Sequence, residues 1–123
     1  MIIALIILAI IALGFLFYAS YSSRAGIYLK SFCRIPTEEK VVALTFDDGP
    51  HPYQTPKVLD VLKEFNIPAT FFCIGSKVAG NEGILKRMVQ EGHSIGNHSY
   101  AHAANFPLYT VRRMVSDLLL TQT

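Results

Sequence analysis

Two pairs of side chains that could do chemistry lie about fifty residues apart in the sequence. Asp47 and Asp48 are adjacent in "TFDDGP", and His98 and His102 are four residues apart in "NHSYAH". Two imidazoles and one carboxylate form a ligand set that leaves positions open for water and substrate, and it suits zinc, iron or cobalt. Neighbouring side chains leave an extended strand in opposite directions, so one aspartate could bind the metal while the other accepts a proton from water.

Each half of this pattern also has a plainer interpretation. "DDGP" is a favourable turn sequence, and histidines in loops are often merely solvated. A helical turn over "HSYAH" would bring the two imidazoles to one face. The metal-site hypothesis therefore depends on elements that bring both pairs to the same place.

Apolar runs of strand length alternate with helix-length patterns after residue 40. The predicted strands cover residues 41–46, 69–75 and 93–99, and the predicted helices cover residues 55–65, 81–91 and 108–120. Repeated strand-then-helix units indicate an α/β fold with a parallel sheet, whose first strand we expect to be covered on both faces. Both polar pairs then follow strands at the carboxyl edge of the sheet, where such folds bind ligands.

Residues typical of helix starts and helix ends occur at the boundaries of these predicted helices. Asn66 and Gly92 are suited to the left-handed conformation that ends a helix, and Asn81 is a good residue to cap the start of one. One apolar stripe of the last helix is predicted to consist of Leu108, Val111, Val115 and Leu118.

The first segment of the chain is apolar enough to enter a membrane. Residues 2–19 contain no charge, and no Lys or Arg precedes them, which favours an uncleaved anchor over a cleaved signal peptide. Arg24, Lys30 and Arg34 follow the segment and would favour a cytoplasmic location for what comes next, whereas a large domain can be translocated despite such charges. The expected domains are a transmembrane anchor or signal sequence over 1–23, a linker over 24–39 and a catalytic domain over 40–123.

Composition argues against several other classes. A net charge of +2 without a basic run gives no indication of nucleic-acid binding. Cys33 and Cys73 form no C-x-x-C motif. Cys73 lies in "ATFFCIG" and is predicted to be a small buried apolar residue, while a disulfide with Cys33 stays open.

Taken together, "TFDDGP" and "HSYAH", with "ATFFCIG" and "EGHSIGNH" between them, resemble the polysaccharide deacetylases, a carbohydrate esterase group that includes chitooligosaccharide deacetylases. The resemblance covers about residues 40–120. It implies the N-terminal part of a distorted (β/α) barrel that hydrolyses N-acetyl groups of an acetylated polysaccharide. It also implies that Asp47 is the general base and that Asp48, His98 and His102 bind the metal, expected to be zinc, with cobalt, nickel or iron as alternatives.

The family's later motifs, an "RPPY"-like loop and a histidine that acts as general acid, do not occur in these 123 residues. His51 and His93 do not match that acid; we expect His93 to be structural and assign His51 only to a loop. We therefore expect the chain to be the N-terminal part of a longer deacetylase, attached to a membrane and facing the cell wall. An O-acetyl esterase and a non-catalytic membrane-bound remnant of the fold are the alternatives.

Overall fold

The computed structural model describes residues 1–22, 25–27 and 36–122. Within them the chain divides into two compact units, Met1–Lys40 and Val41–Thr123. The first unit contains helix α1, Ile2–Tyr21, whose 20 residues make it the one described helix that is long and apolar enough to cross a membrane. At 1.5 Å per residue it is about 30 Å long. Arg24, Lys30 and Arg34, which bear on the orientation of this helix, lie outside the described residues.

The second unit is built around a three-stranded parallel sheet. Its strands are β1 (Thr45–Gly49), β2 (Thr70–Cys73) and β3 (Ser94–Asn97), in the order β1-β2-β3. Its helices are α2 (Gln54–Glu64), α3 (Glu82–Gln90) and α4 (Val111–Leu120), with short 3₁₀ turns at Gly75–Lys77 and Phe106–Leu108. The predicted alternation of strands and helices in an α/β fold is confirmed for these residues.

One apolar core holds the sheet to α2 and α3. Its buried members are Leu59, Leu62, Ala69, Phe71, Cys73 and Met88. Phe46 of β1 stacks on Phe71 of β2 with 5.0 Å between ring centroids, which extends the core to the first strand. Cys73 is 2% exposed, and burial raises the pKa of its thiol, so it packs as a neutral apolar group as predicted. Cys33 lies outside the described residues.

The expectation that the first strand is covered on both faces is wrong. β1 begins at Thr45 rather than at residue 41, and the Val42 side chain before it is 88% exposed. Among the described residues β1 pairs only with β2, so it is an edge strand. Within β1 only Phe46 and Gly49 are half-buried and the other three residues are exposed, so the strand is not covered on both faces in the described part of the chain.

The predicted apolar stripe of the last helix is also wrong. Leu108 and Val111 are 86% and 77% exposed, and the buried residue of α4 is Asp117. Leu108 precedes the helix because the Thr110 hydroxyl accepts a hydrogen bond from the Arg113 N–H, at 3.4 Å, and so fixes the start of α4 at Val111. The helix makes polar contacts with the rest of the domain through the Asp117 carboxylate and the Leu118 carbonyl oxygen.

The predicted ends of α2 and α3 are confirmed. Asn66 and Gly92, with φ of +51° and +83°, adopt the left-handed conformation that ends α2 and α3. Asn81 does precede α3, but its side chain caps no helical N–H; its amide donates to the Lys77 carbonyl oxygen at 2.9 Å. The boundary was predictable, whereas the partner of the side chain was not.

Candidate metal centre

The first element of the site is a β-bulge at the end of β1. Phe46 pairs with Phe71 and Gly49 pairs with Cys73, so Asp47 and Asp48 together face one residue of β2. Asp48 has φ +67°, a left-handed conformation that aspartate tolerates better than most residues. A bulge re-aims the side chain that it carries. The two aspartates therefore do not follow the simple alternation of an extended strand that the sequence suggested.

A cation from the next strand-to-helix connection fixes the backbone of this bulge. The Lys77 ammonium donates a hydrogen bond to the Asp48 carbonyl oxygen at 2.9 Å. On the following residue, the Gly49 carbonyl oxygen accepts from the Ile74 N–H at 2.8 Å. These two contacts tie the bulge to the end of β2.

The second element is the loop that follows β3. His98 N–H donates to the Cys73 carbonyl oxygen at 3.0 Å, which continues the β2–β3 ladder by one bond. The chain then turns through Ser99 and His102, which have φ of +62° and +46°. The Asn97 side-chain oxygen accepts from Ser99 N–H at 2.9 Å, and the Ser99 hydroxyl accepts from His102 N–H at 3.0 Å. The helical turn considered for "HSYAH" is therefore wrong, because short polar side chains take the backbone N–H groups instead.

These two elements bring three of the four predicted site residues together. Asp48 Oδ1 lies 3.3 Å from His98 Nε2 and 3.2 Å from His102 Nε2. The imidazole rings stack with 4.8 Å between centroids, and one ligand atom from each of the three residues falls within 4.8 Å of the others. Asp47 is exposed on the adjacent position of β1 and is not part of this cluster.

The cluster fits a small divalent cation. Ligand atoms at about 2.0–2.1 Å from a tetrahedral zinc ion are about 3.3 Å from one another. The two Asp48–histidine distances match this separation, and the set of three ligand atoms spans up to 4.8 Å, so the two imidazoles would move closer together around the ion. One oxygen and two imidazole nitrogens are also a donor set that zinc and other transition metals accept. The side chains of Asp48 and His102 are 61% and 51% exposed, so the centre is open to solvent and to a ligand.

A cavity of about 400 Å³ borders both histidines. Beyond His98 and His102, its lining includes Ala103, Phe106 and Leu118 and is mostly apolar. A polar centre beside an apolar hollow can hold a ligand that has both characters.

An aromatic side chain next to the centre depends on a glycine. The Phe72 ring lies 6.5 Å from the His98 ring, between centroids. A Cβ atom on Gly96 would lie 2.4 Å from the Phe72 ring. Glycine at position 96 thus allows the Phe72 ring of β2 to lie against the backbone of β3. An isolated glycine in a strand pattern was the available indication of such a close approach.

The other two histidines are used differently. His93 is 7% exposed, its Nδ1 accepts from Ala69 N–H at 3.2 Å, and its ring meets the Phe71 ring edge-on at 5.5 Å. The prediction that His93 is structural is confirmed. His51 Nδ1 accepts from Tyr53 N–H at 3.2 Å and from the Gln54 N–H at 3.3 Å, so it caps the start of α2.

The shifted pKa values of Arg87 and Glu91 belong to an ion network between α2 and α3. The Arg87 guanidinium contacts Glu91 at 3.0 Å and Asp60 at 2.7 Å, and Lys63 lies 3.5 Å from Glu91. Hydrogen bonding to Glu91 raises the pKa of Arg87, and the same bond lowers the pKa of Glu91. This network joins α2 to α3 and has a structural role.

The model of the family described as polysaccharide deacetylase matches residues 34–123. The chain belongs to the polysaccharide deacetylase family. The match covers most of the sequence and confirms the resemblance carried by "TFDDGP" and "HSYAH". The bulge that carries "TFDDGP" ends β1 and the loop that carries "HSYAH" follows β3, with β2 between the two strands.

Individual relatives agree with this assignment. A peptidoglycan-N-acetylglucosamine deacetylase of Bacillus cereus is 50% identical over 68 residues, which are 55% of this chain and 32% of that protein. A chitooligosaccharide deacetylase of a Bradyrhizobium species is 56% identical over 61 residues, 50% of this chain and 28% of that protein. The chain thus spans about a third of the length of these relatives.

Among solved structures, the peptidoglycan deacetylase PdaC from Bacillus subtilis is similar in fold. It superposes with a TM-score of 0.65 at 42% sequence identity, over 69% of this chain and 42% of that one. The α/β fold of this member of the polysaccharide deacetylase family is therefore shared with a structurally characterised relative.

Proposed function

We propose that the chain is part of a metal-dependent deacetylase that removes N-acetyl groups from a polysaccharide containing N-acetylglucosamine, such as peptidoglycan or a chitin-like polymer. The observation that carries the proposal is the convergence of Asp48, His98 and His102 beside the exposed Asp47. Family membership and relatives named for peptidoglycan and chitooligosaccharide deacetylation support the same reaction class.

The four proposed site residues would have two roles, metal binding and proton transfer. Asp48 Oδ1 and the Nε2 atoms of His98 and His102 would hold the cation, for which we propose zinc. A divalent cation at this position supplies a Lewis acid that polarises an acetamide carbonyl and makes water easier to deprotonate. The Asp47 carboxylate, adjacent in sequence but outside the ligand cluster, would accept the proton of the attacking water as general base.

The surroundings suit an N-acetyl group. The open centre admits a polymer, because Asp48 and His102 are more than half exposed. The apolar cavity beside His98 and His102 could receive the acetyl methyl while the carbonyl oxygen faces the ligands. Binding of this kind would hold the scissile amide close to Asp47.

The proposal is tested by supplying zinc to the whole deacetylase of which this chain is proposed to be part, and measuring amine release from N-acetylglucosamine oligomers and acetate release from O-acetylated xylan. Asp47→Asn should retain metal affinity and lose about 10²- to 10⁴-fold in turnover, because only general-base assistance is removed. Asp48→Asn should lose metal affinity as well. Asp60→Asn, the same change at an exposed carboxylate of α2, serves as the matched control.

The outcomes separate the alternatives. Amine release by the unaltered protein, lost in Asp47→Asn, supports the deacetylase. Release of acetate only from the xylan indicates an O-acetyl esterase. Stoichiometric zinc binding with no release from either substrate would contradict an enzymatic role and indicate a non-catalytic remnant.

We further propose that α1 anchors the protein in a membrane, with the deacetylase domain, residues 40–123, on the outer side facing cell-wall polysaccharide. The 20-residue apolar helix and the cell-wall substrates of the relatives support this arrangement. Mass spectrometry of the protein extracted from membranes should find residues 2–21 intact. A mature N-terminus beyond residue 21 would indicate a cleaved signal sequence instead, and protease treatment of intact cells tests the orientation.

A further inference from the structure

We propose that Asp117 of α4 is a positioning residue that holds the loop between His98 and His102 and thereby sets the affinity of the metal centre. This inference rests on the proposed function, because it assumes that the two histidines bind a cation. Asp117 contacts neither histidine and would act only through the backbone that joins them.

The Asp117 carboxylate is directed at that backbone. One oxygen, Oδ1, accepts from the Tyr100 N–H at 2.7 Å, and the other, Oδ2, accepts from the Ala101 N–H at 3.3 Å. Asp117 is 9% exposed, and no Lys, Arg or His forms an ion pair with it within the described ranges. Burial of an unpaired carboxylate is costly unless hydrogen bonds compensate it, and bonds to a charged acceptor are about twice as strong as neutral ones. The two loop N–H groups supply that compensation.

Other contacts show that the loop is held from two sides. The Ser99 and Tyr100 carbonyl oxygens accept from Gly75 N–H and Ser76 N–H, each at 3.0 Å, at the end of β2. On the α4 side, the Asn97 amide donates to the Leu118 carbonyl oxygen at 2.8 Å. The loop carbonyls are thus bound to the 3₁₀ turn that follows β2, while the N–H groups of Tyr100 and Ala101 are bound to Asp117.

The fixed loop matters because its conformation is strained. Ser99 and His102 both have positive φ, which non-glycine residues retain only where the surroundings impose it. His102 follows Ala101 directly, so release of the Asp117 bonds would let its imidazole leave the position 3.2 Å from Asp48. Loss of a group that orients metal ligands commonly lowers metal affinity about 10- to 100-fold.

The test is a cobalt titration of the whole chain in detergent, comparing Asp117→Asn with the unaltered protein. The amide side chain of this variant would keep one acceptor oxygen and present an N–H₂ group to the second loop N–H. We expect cobalt affinity to fall about tenfold and the visible absorption bands of bound cobalt to shift, as the ligand geometry changes. Asp117→Glu, which keeps the charge, should recover part of the affinity.

Two controls isolate the positioning role. Asp60→Asn makes the same chemical change on α2 and should leave both cobalt affinity and spectrum unchanged. Val58→Ala is the control for a general loss of stability, because it weakens the core without touching the loop. Amide hydrogen exchange of the unaltered protein needs no variant and should show a protected Tyr100 N–H. Equal cobalt affinity and spectrum in Asp117→Asn, or a Tyr100 N–H that exchanges without protection, would overturn the inference alone. An unaltered protein that binds no cobalt would overturn both the inference and the metal centre on which it rests.

Discussion

The four histidines of the chain divide into two pairs that use the same ring in different ways. In His98 and His102 the Nε2 atoms converge on Asp48 Oδ1 at 3.3 and 3.2 Å. In His51 and His93 the Nδ1 atom accepts hydrogen bonds from backbone N–H groups. A neutral imidazole has one acceptor nitrogen, so Nδ1 in the second pair is committed to the fold. What separates a proposed ligand from a structural histidine here is whether backbone N–H groups already occupy the acceptor nitrogen of the ring, as they do in His51 and His93.

The two pairs also differ in the conformation that carries them. His98 and His102 belong to a loop with two left-handed residues, Ser99 and His102, and they face the bulge at Asp48. His93 directly precedes β3 and is buried against Phe71. Strain is thus concentrated where the proposed chemistry occurs, as is common at functional sites.

The largest expected effect is the loss of metal binding when a converging histidine is removed. His98→Ala and His102→Ala should each lower zinc affinity more than about 100-fold. The loss exceeds that expected for a group that only orients a ligand, because each variant removes one of the three proposed protein ligands. Competition with a chelating dye measures this. His51→Ala is the matched control and should change zinc affinity less than about twofold; an equal loss in that variant would abolish the distinction between the pairs.

How far the sequence predicts this site can be judged residue by residue. The second and third strands follow from local apolar patterns. The ends of α2 and α3 follow as well, because Asn66 and Gly92 have intrinsic preferences for the left-handed conformation that they adopt. The bulge that turns Asp48 toward the histidines depends on pairing with β2, which no local pattern encodes. "DDGP" therefore predicted the residues of the site but not their orientation.

The histidine loop and α4 show the same limit. The spacing of His98 and His102 suggested a helical turn. The side chains of Asn97 and Ser99 instead accept hydrogen bonds from loop N–H groups and produce a different turn, which also brings the two imidazoles together. The last helix was expected to present an apolar stripe that includes Val115 and Leu118, whereas tertiary contacts bury Asp117. Local propensity could not show that a carboxylate would find two N–H partners in a loop 16 and 17 residues earlier.

The next effect in size concerns His93 and the stability of the fold. His93→Phe should lower the free energy of unfolding by about 1–3 kcal/mol, because the ring still fills the space beside Phe71 but the buried Ala69 N–H loses its acceptor. His93 Nε2 is buried without a partner among the described residues, so its removal offsets part of this loss. Urea unfolding followed by circular dichroism measures the change, and His93→Asn, whose side-chain oxygen can approach the position of Nδ1, should be less destabilising. A reduced zinc affinity in folded His93→Phe would contradict the assignment of His93 to structure alone.

The smallest expected effect concerns His51 at the start of α2. His51→Ala removes the acceptor of the Tyr53 and Gln54 N–H groups, two of the N–H groups at a helix start that have no partner within the helix. Loss of a side-chain cap costs about 1 kcal/mol, and water at this exposed position can replace part of the bond. The backbone contacts of position 51, its N–H to the Thr55 hydroxyl at 2.9 Å and its carbonyl to the Thr55 N–H at 3.1 Å, remain available to alanine and limit the loss. His51→Asn offers a side-chain oxygen to the same N–H groups and should restore most of the stability in urea unfolding. If His51→Asn were as unstable as His51→Ala, capping of α2 would not be the role of His51. A role in the candidate metal centre would then have to explain why a histidine lies two residues after Gly49.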